Sequence, residues 1–235
     1  MTVGVLAVHG FTGSPATLTP LTDALTAAGL TVVVPCLPGH GTRIEDMLDV
    51  TYDDWRATVQ EALDALRATT DDVVVVGQSM GAALVADVLA GRDDVAGAVF
   101  VNPAVAAFDP DLLEIVDATI AAGEEILPGG RSDIADPDVP DGHSYPGTPL
   151  RPFRSLAAAL VPLQSRFADI TCPVLILTAT QDHVVDPAAS DLLATAVTGP
   201  VERVTLERSF HVATLDYDKQ IVIDRTLDFI GRHTG

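Results

Sequence analysis

The pentapeptide Gly77-Gln78-Ser79-Met80-Gly81 constrains the fold of this chain more than any other stretch. It follows a run of four valines at residues 73–76 and precedes an apolar, helix-forming run at residues 82–86. A strand, G-x-S-x-G and a helix make up a nucleophile elbow, a sharp turn that leaves the serine hydroxyl free at the head of the helix. Glycine on each side of the turn removes side chains that would collide. The pattern therefore predicts a nucleophilic Ser79, although an ordinary strand-to-helix turn can share so short a motif.

Strand-like and helix-like segments alternate along all 235 residues. The apolar, β-rich runs lie at residues 3–8, 31–34, 72–76, 95–101, 173–178 and 201–206. Such alternation predicts an α/β fold with a mostly parallel central sheet and helices on both faces. Because 48% of the residues are hydrophobic and no linker is evident, residues 1–235 are predicted to form a single domain.

Three short patterns predict where helices begin. Ser14 followed by Pro15 is typical of a cap and a first helical position, and Thr51 with Asp54 resembles a capping box. Asp186 before a proline predicts another start, and the last helix is expected from residue 216 to about residue 230. Helices at these points connect successive parallel strands.

Residues 104–168 depart from this alternation. Helix-like pieces at 111–122 and 153–167 flank a stretch at 127–152 that is rich in proline, glycine and aspartate. A connection of this length in a compact domain is usually a lid or a disordered segment. Residues 104–168, called the insertion below, are therefore expected to be a lid or a disordered segment.

An activated serine needs a base, and the base needs an acid that orients it. Asp182 follows the strand-like run at 173–178, and His211 follows the run at 201–206. The carboxyl ends of parallel strands meet at one edge of the sheet, so both side chains are expected near Ser79. The chain order Ser, Asp, His is that of the α/β-hydrolase triad. We therefore predict Ser79, Asp182 and His211 as catalytic residues.

The alternatives to these residues fit the pattern less well. Asp186 is better explained as a helix cap, and neither Ser190 nor Ser209 lies in an elbow. His9 and His40 come too early for the triad order, and His183 directly follows the predicted acid. The two remaining histidines, His143 and His233, lie in the insertion and near the C-terminus.

Two backbone amides are predicted to form an oxyanion hole. The amide of Met80, the residue after the predicted nucleophile, is one donor. The loop His9-Gly10-Phe11-Thr12-Gly13 follows the first strand-like run, and the amide of Phe11 is the expected second donor. A glycine-rich turn that merely ends the strand is the alternative. His9 is interpreted as a structural hydrogen-bonding residue, and the turn at residues 38–41 is expected to shape the pocket entrance.

Charge and composition exclude several functions. The formal charge of −20 disfavours binding to nucleic acid. No H-E-x-x-H, C-x-x-C or G-x-G-x-x-G pattern occurs, so neither a metal nor another cofactor is expected. No apolar run approaches the ~20 residues that span a bilayer, and residues 1–8 lack the positive region of a signal peptide. We expect a cytoplasmic monomer or homodimer in which Cys36 and Cys172 are small buried hydrophobic residues.

The chain resembles the α/β-hydrolase superfamily, and within it the small bacterial carboxylesterases and monoacylglycerol lipases. The resemblance rests on residues 9–14 (HGFTGS), 39–41 (GHG), 77–81 (GQSMG), 181–185 (QDHVV) and 209–212 (SFHV). It implies the α/β-hydrolase fold, an oxyanion hole from Phe11 and Met80, and a small helical cap (a lid) formed by residues 104–168. Phe210 stands where such enzymes often have glycine, and Gln78 where histidine or leucine is frequent. Both departures affect substrate preference more than reaction type.

These observations predict a serine hydrolase of carboxylic esters. The expected substrate is a small ester with an apolar acyl chain of short to medium length, and the resemblance adds monoacylglycerol as a natural substrate. Two alternatives stay open. One is a thioesterase, peptidase or C–C hydrolase with the same triad, and the other is a non-catalytic receptor for a small ligand on the same fold.

Overall fold

Six strands form one parallel sheet in the computed structural model, which describes residues 1–129 and 132–235. Strands are numbered in chain order, and β5 and β6 belong to a separate pair that is described below. The six strands of the main sheet are β1 (Val3–Val8), β2 (Thr31–Val33), β3 (Asp72–Gln78), β4 (Gly97–Val101), β7 (Val174–Ala179) and β8 (Val201–Leu206). Their order across the sheet is β2-β1-β3-β4-β7-β8, and every neighbouring pair is parallel. The predicted α/β class is confirmed.

Side chains of the central strands alternate between two apolar cores. Val73 and Val75 of β3 face one core, whereas Val74 and Val76 face the other, and all four are fully buried. Burial on both faces explains why the strand reads as an unbroken valine run and not as a polar and apolar alternation. The elbow follows β3 directly, so it lies at the end of a buried interior strand of the sheet.

Helices cover both faces of this sheet. Those between the strands and after β8 are α1 (Thr19–Ala27), α2 (Tyr52–Arg67), α3 (Met80–Leu89), α6 (Ala188–Ala196) and α7 (Lys219–His233). Helices α1 and α7 pack over one face, and α2, α3 and α6 pack over the other. The capping box of Thr51 and Asp54 is confirmed, since each side chain bonds the backbone amide of the other residue.

The first and last helices begin later than predicted. Residues Pro15–Leu18 form a 3-10 turn that Ser14 does not cap with its side chain, and α1 starts at Thr19. Pro20 explains this restart, because it has no amide hydrogen to continue the preceding turn. Helix α7 starts at Lys219 and not at Asp216, whose carboxylate accepts backbone amides of other segments.

The insertion between β4 and β7 contains both helix and strand. Helices α4 (Pro110–Ala121) and α5 (Leu150–Gln164) flank a short antiparallel pair, β5 (Ile126–Pro128) and β6 (Gly147–Pro149). The two helices correspond to the predicted helix-like pieces, whereas the strand pair was not predicted, because strands of three residues carry no periodic signal. Gly130 and Arg131, within the stretch predicted at 127–152, lie outside the described residues. Leu156, Leu160 and Leu163 of α5 pack into the core beside α3.

The prediction for the cysteines was wrong for Cys36, which is exposed, while Cys172 is half-buried. Cys36 lies just beyond β2, an edge strand of three residues with no neighbour on its outer side in the described sheet. Its thiol donates a hydrogen bond to the carbonyl of His40 at 3.3 Å. Among the described residues, no helix is both long and apolar enough to cross a bilayer.

Candidate active site

Ser79 occupies a strained backbone position between β3 and α3. Its φ of 56° and ψ of −122° lie in a region that residues with side chains rarely adopt. The two elbow glycines make this turn possible. A Cβ on Gly77 would lie 2.6 Å from Cα of Ala82, and a Cβ on Gly81 would lie 2.2 Å from the carbonyl oxygen of Val8. Both contacts are shorter than atoms tolerate, so only glycine fits.

Replacing Gly81 by alanine is expected to destabilise the fold by more than the ~1–3 kcal/mol typical of overpacking. The added methyl group meets the backbone oxygens of Val8, which sheet pairing holds in place, and of His9, the next residue. Gly231 in α7 is a matched control, because a Cβ added there would have no atom within 4 Å apart from its chain neighbours and its own helix backbone, and alanine favours a helix. Urea unfolding should show a large loss for Gly81→Ala and none for Gly231→Ala. Equal stabilities for the two variants would contradict the steric account.

Three side chains from three different loops form a continuous hydrogen-bonded chain. The Ser79 hydroxyl lies 2.8 Å from Nε2 of His211, and Nδ1 of His211 lies 2.7 Å from Oδ2 of Asp182. Asp182 follows β7 and His211 follows β8, so both come from the carboxyl edge of the sheet. The structure thus brings together the three residues that the sequence predicts as a catalytic triad.

Asp182 is held so that one oxygen faces His211. Its other oxygen, Oδ1, accepts the amides of Val184 and Val185 at 2.8 Å each. With its Nδ1–H donated to Asp182, the imidazole presents Nε2 as an acceptor to the Ser79 hydroxyl. The side chains of Asp182 and His211 are 2% and 9% exposed. Burial of this pair strengthens the hydrogen bond between them.

The loop after β1 lies directly against Ser79. A Cβ on Gly10 would come within 3.1 Å of the Ser79 Cβ, so a larger residue would crowd the serine. The amides of Phe11 and Met80 donate no hydrogen bond to another described residue. Both predicted oxyanion donors are therefore free to bind an oxygen atom at this edge of the sheet.

Two neutral histidines hold this loop in place. His9 donates from Nδ1 to the carbonyl of Gly10 and accepts the amide of Leu37 at Nε2. His40 donates to the carbonyl of Pro38 and accepts the amide of Thr12. Burial lowers the pKa of His9 to about 4, and burial together with the nearby His9 lowers the pKa of His40 to about 3. Near pH 7 both rings are uncharged, as an acceptor nitrogen requires.

A cavity of about 310 Å³ opens beside Ser79 and His211. Apolar side chains on its wall include Phe11, Phe153 and Val184. Residues of the insertion, among them Ser132, Asp133, His143, Ser144, Tyr145 and Thr148, add polar groups. The cavity can therefore take a molecule with an apolar part and a polar part, adjacent to the serine hydroxyl.

A serine at an elbow, a histidine paired with an aspartate and two backbone amides without a partner among the described residues form the arrangement of a serine hydrolase. The profile of the alpha/beta hydrolase family matches residues 5–224. The chain belongs to this family. A match over this much of the chain includes the elbow and the loops that carry Asp182 and His211.

Similar proteins include lipolytic enzymes. This hydrolase is 38% identical over 236 residues to a thermostable monoacylglycerol lipase of Bacillus sp. (strain H-257). The alignment covers 99% of this chain and 92% of the relative. It is 21% identical over 228 residues to a carboxylesterase of Bacillus subtilis (strain 168), covering 96% and 91%. A solved structure from work on LipS and LipT, two metagenome-derived lipolytic enzymes, superposes with a TM-score of 0.91 at 36% identity, covering 98% and 94%. These relatives support hydrolysis of carboxylic esters as the reaction class.

Four residues of the hydrolase that the sequence analysis does not assign to the site support its loops. Asn102, at the end of β4, donates to the carbonyl of His211 at 2.8 Å and accepts the amide of Ala179 at 2.7 Å. Tyr145 of the insertion joins the turn at residues 38–41 to the loop after β1. Its hydroxyl donates to the carbonyl of Gly39, and its amide donates to that of Thr12.

Asp216 and Asp133, the other two of these four residues, link the insertion to the loop that carries His211. Asp216 is fully buried and accepts the amide of Phe210 as well as the amides of Ala135 and Asp136. Asp133 accepts the amide of His211 itself at 3.1 Å. An aspartate that accepts backbone amides leaves no periodic pattern in the sequence, so only the excess of aspartate in these loops could have indicated them.

The alternative residues have other partners in the structure. Asp186 accepts the amide of Ala188 at the start of α6, as a helix cap does. The hydroxyl of Ser190 accepts a hydrogen bond from Thr178, and that of Ser209 accepts the amide of Asp218. His183 donates to Asp133, while His143 lines the cavity. In the described part of the chain, no group of three or more His, Cys, Asp or Glu side chains is arranged to hold a metal.

Both departures from the family pattern have side-chain partners in the structure. Gln78 is buried, and its Oε1 accepts a hydrogen bond from the Thr214 hydroxyl at 2.9 Å. Phe210 stacks edge-on against His183, with ring centroids 4.4 Å apart. Gln78 also contributes to the cavity wall, whereas Phe210 is not among the residues that line it.

Proposed function

We propose that this hydrolase cleaves carboxylic esters of short to medium acyl chains through an acyl-enzyme on Ser79. The observation that carries the proposal is the hydrogen-bonded chain from Ser79 through His211 to Asp182 at the strained elbow. Strain at a residue is maintained only where the surrounding structure fixes it, and it is concentrated at functional sites. In this account Ser79, Asp182 and His211 are the catalytic residues.

Acylation begins when His211 takes the proton of the Ser79 hydroxyl through Nε2. The serine oxygen attacks the ester carbonyl carbon, and the carbonyl oxygen becomes an anion. The amides of Phe11 and Met80 donate hydrogen bonds to that anion, as an oxyanion hole does. Asp182 stabilises the imidazolium form of His211, which then gives its proton to the leaving alcohol.

Deacylation repeats these steps with water. His211 takes a proton from the water molecule, whose oxygen attacks the acyl carbon bound to Ser79. The same two amides stabilise the second oxyanion. When the intermediate collapses, the serine oxygen recovers its proton from His211 and the carboxylic acid leaves. Neither half of the cycle needs a metal or another cofactor.

The size and lining of the cavity support the proposed substrate. At about 310 Å³ it lies at the small end of ligand pockets, which suits a short or medium acyl chain. Phe11, Phe153 and Val184 offer apolar contact to that chain. We also propose that the insertion acts as the cap of the site, because several of its residues line the cavity wall. Monoacylglycerol is the natural substrate that the relatives suggest.

A series of p-nitrophenyl esters tests the proposed substrate class. We expect kcat/KM to be greatest between the butyrate and octanoate esters and to fall roughly tenfold or more for the palmitate ester, whose chain exceeds the cavity. Matched acyl thioesters and aminoacyl amides should be poorer substrates than the best ester. A maximum at palmitate would contradict the chain-length proposal. Binding of esters without turnover would contradict the proposed reaction and favour a receptor.

A further inference from the structure

Asp133 joins three segments around the proposed catalytic histidine. Its Oδ2 accepts the amides of His211 and His183 at 3.1 Å each, and its Oδ1 accepts Nδ1–H of the His183 ring at 2.9 Å. Its backbone carbonyl accepts the amide of Val212 at 3.0 Å. A single residue of the insertion thus contacts the loop that carries His211 and the loop that carries Asp182.

The position of this carboxylate has an electrostatic consequence. The Asp133 carboxylate accepts the amide of His211, and that amide is three covalent bonds from the imidazole ring that Asp182 contacts. The Asp133 side chain is 17% exposed, and partial burial leaves its charge less screened than that of a surface carboxylate. Two carboxylates therefore contact His211, Asp182 at the imidazole and Asp133 at the backbone amide.

We propose that Asp133 is a positioning residue of this hydrolase, which fixes the backbone of His211 and supplies a second negative charge beside the imidazolium formed during the reaction. The proposal rests on the proposed function, because it requires His211 to act as the base. A purely structural anchor would need only the hydrogen bonds of Asp133. The two roles differ in their dependence on the charge.

The charged and titratable groups around His211 come from several described elements. They are Asp182 after β7, Asp133 and His143 in the insertion, His183 bound to Asp133, and Asp216, which accepts the amide of the preceding residue. A nearby negative charge stabilises the protonated imidazole. Removing the charge of Asp133 should therefore destabilise the imidazolium form of His211.

Asp133→Asn removes the charge and keeps a side chain of the same size with an acceptor oxygen. Free enzyme needs neutral His211, so we expect the acidic limb of the kcat/KM profile to move to lower pH by roughly one unit. The plateau kcat should fall about tenfold, because the imidazolium in the transition state is less stabilised. Asp138→Asn is the matched control, since Asp138 is exposed in the same insertion and should leave both quantities unchanged.

NMR titration of the His211 ring in Ser79→Ala, with and without Asp133→Asn, measures the protonation of that ring directly and without turnover. An acidic limb and a ring titration that match those of the Asp138→Asn control would overturn the proposal. If Asp133→Asn does not fold, Asp133→Ser, which keeps an acceptor oxygen but no charge, gives the same comparison. Failure of the proposed function would look different, because the wild-type protein itself would not hydrolyse esters.

Discussion

Replacing Ser79 by alanine is expected to lower kcat for ester hydrolysis by about a millionfold, the size of loss seen when a serine nucleophile is removed from such a triad. A millionfold loss corresponds to about 8 kcal/mol of transition-state stabilisation. The effect is this large because the hydroxyl forms the covalent bond in both halves of the reaction. Without it, His211 and the free amides of Phe11 and Met80 have no nucleophile to assist.

The same substitution should leave the fold intact. Alanine keeps the Cβ of Ser79 and loses only the hydroxyl, whose partner is Nε2 of His211. The thermal unfolding midpoint of Ser79→Ala should therefore stay close to that of the wild type, while initial rates on p-nitrophenyl butyrate fall to background. Ser209→Ala is the matched control and should retain activity, because Ser209 bonds Asp218 and not His211. Substantial turnover by a folded Ser79→Ala protein would contradict the mechanism.

Replacing Asp182 by asparagine is expected to reduce kcat about 10⁴-fold, as in other triads where the acid becomes an amide. The hydrogen bonds of Asp182 explain the size of the effect. Its Oδ1 accepts the amides of Val184 and Val185, so the carbonyl oxygen of an asparagine would take that place. The NH₂ group would then face Nδ1 of His211. The imidazole would carry its proton on Nε2 and lose the ability to accept the serine proton.

Asp186→Asn is a suitable control, because Asp186 caps α6 and makes no contact with His211 among the described residues. It should lose a little stability and almost no activity. Kinetics of both variants on one ester, with circular dichroism to confirm folding, separate the two aspartates. Equal activities of Asp182→Asn and Asp186→Asn would show that the acid of the triad has been wrongly assigned.

The sheet and the position of the elbow could be predicted because their signals are local. Val73–Val76 is a short apolar run because both faces of β3 are buried, and Gly77 and Gly81 are needed where a Cβ has no room. The loops that carry Asp182 and His211 follow from the same topology, since parallel strands end at one edge.

Boundaries that depend on distant partners could not be predicted. Asp216 resembles the start of a helix, yet its carboxylate bonds the amides of Phe210, Ala135 and Asp136, and α7 begins at Lys219. The residue type of Cys36 predicts burial, but the short edge strand before it leaves it exposed.

The contacts that support the site could not be predicted from the sequence for a related reason. Asp133 and Asn102 act by bonding backbone amides and carbonyls, and a backbone partner has no residue identity that a pattern could match. Both lie far in sequence from His211, at separations of 78 and 109 residues. The proximity of Ser79, Asp182 and His211 could be predicted from the sequence, whereas the residues that hold their loops together required coordinates.

Labelling with a fluorophosphonate tests the central claim most directly, because this reagent reacts with an activated serine and not with an ordinary hydroxyl. Intact mass and peptide mapping should show one adduct per chain, located on Ser79 and absent from Ser79→Ala. Prior incubation with EDTA should not change the rate of labelling. An adduct on Ser209 or Ser190, or a wild-type protein that does not react, would contradict acyl transfer through Ser79.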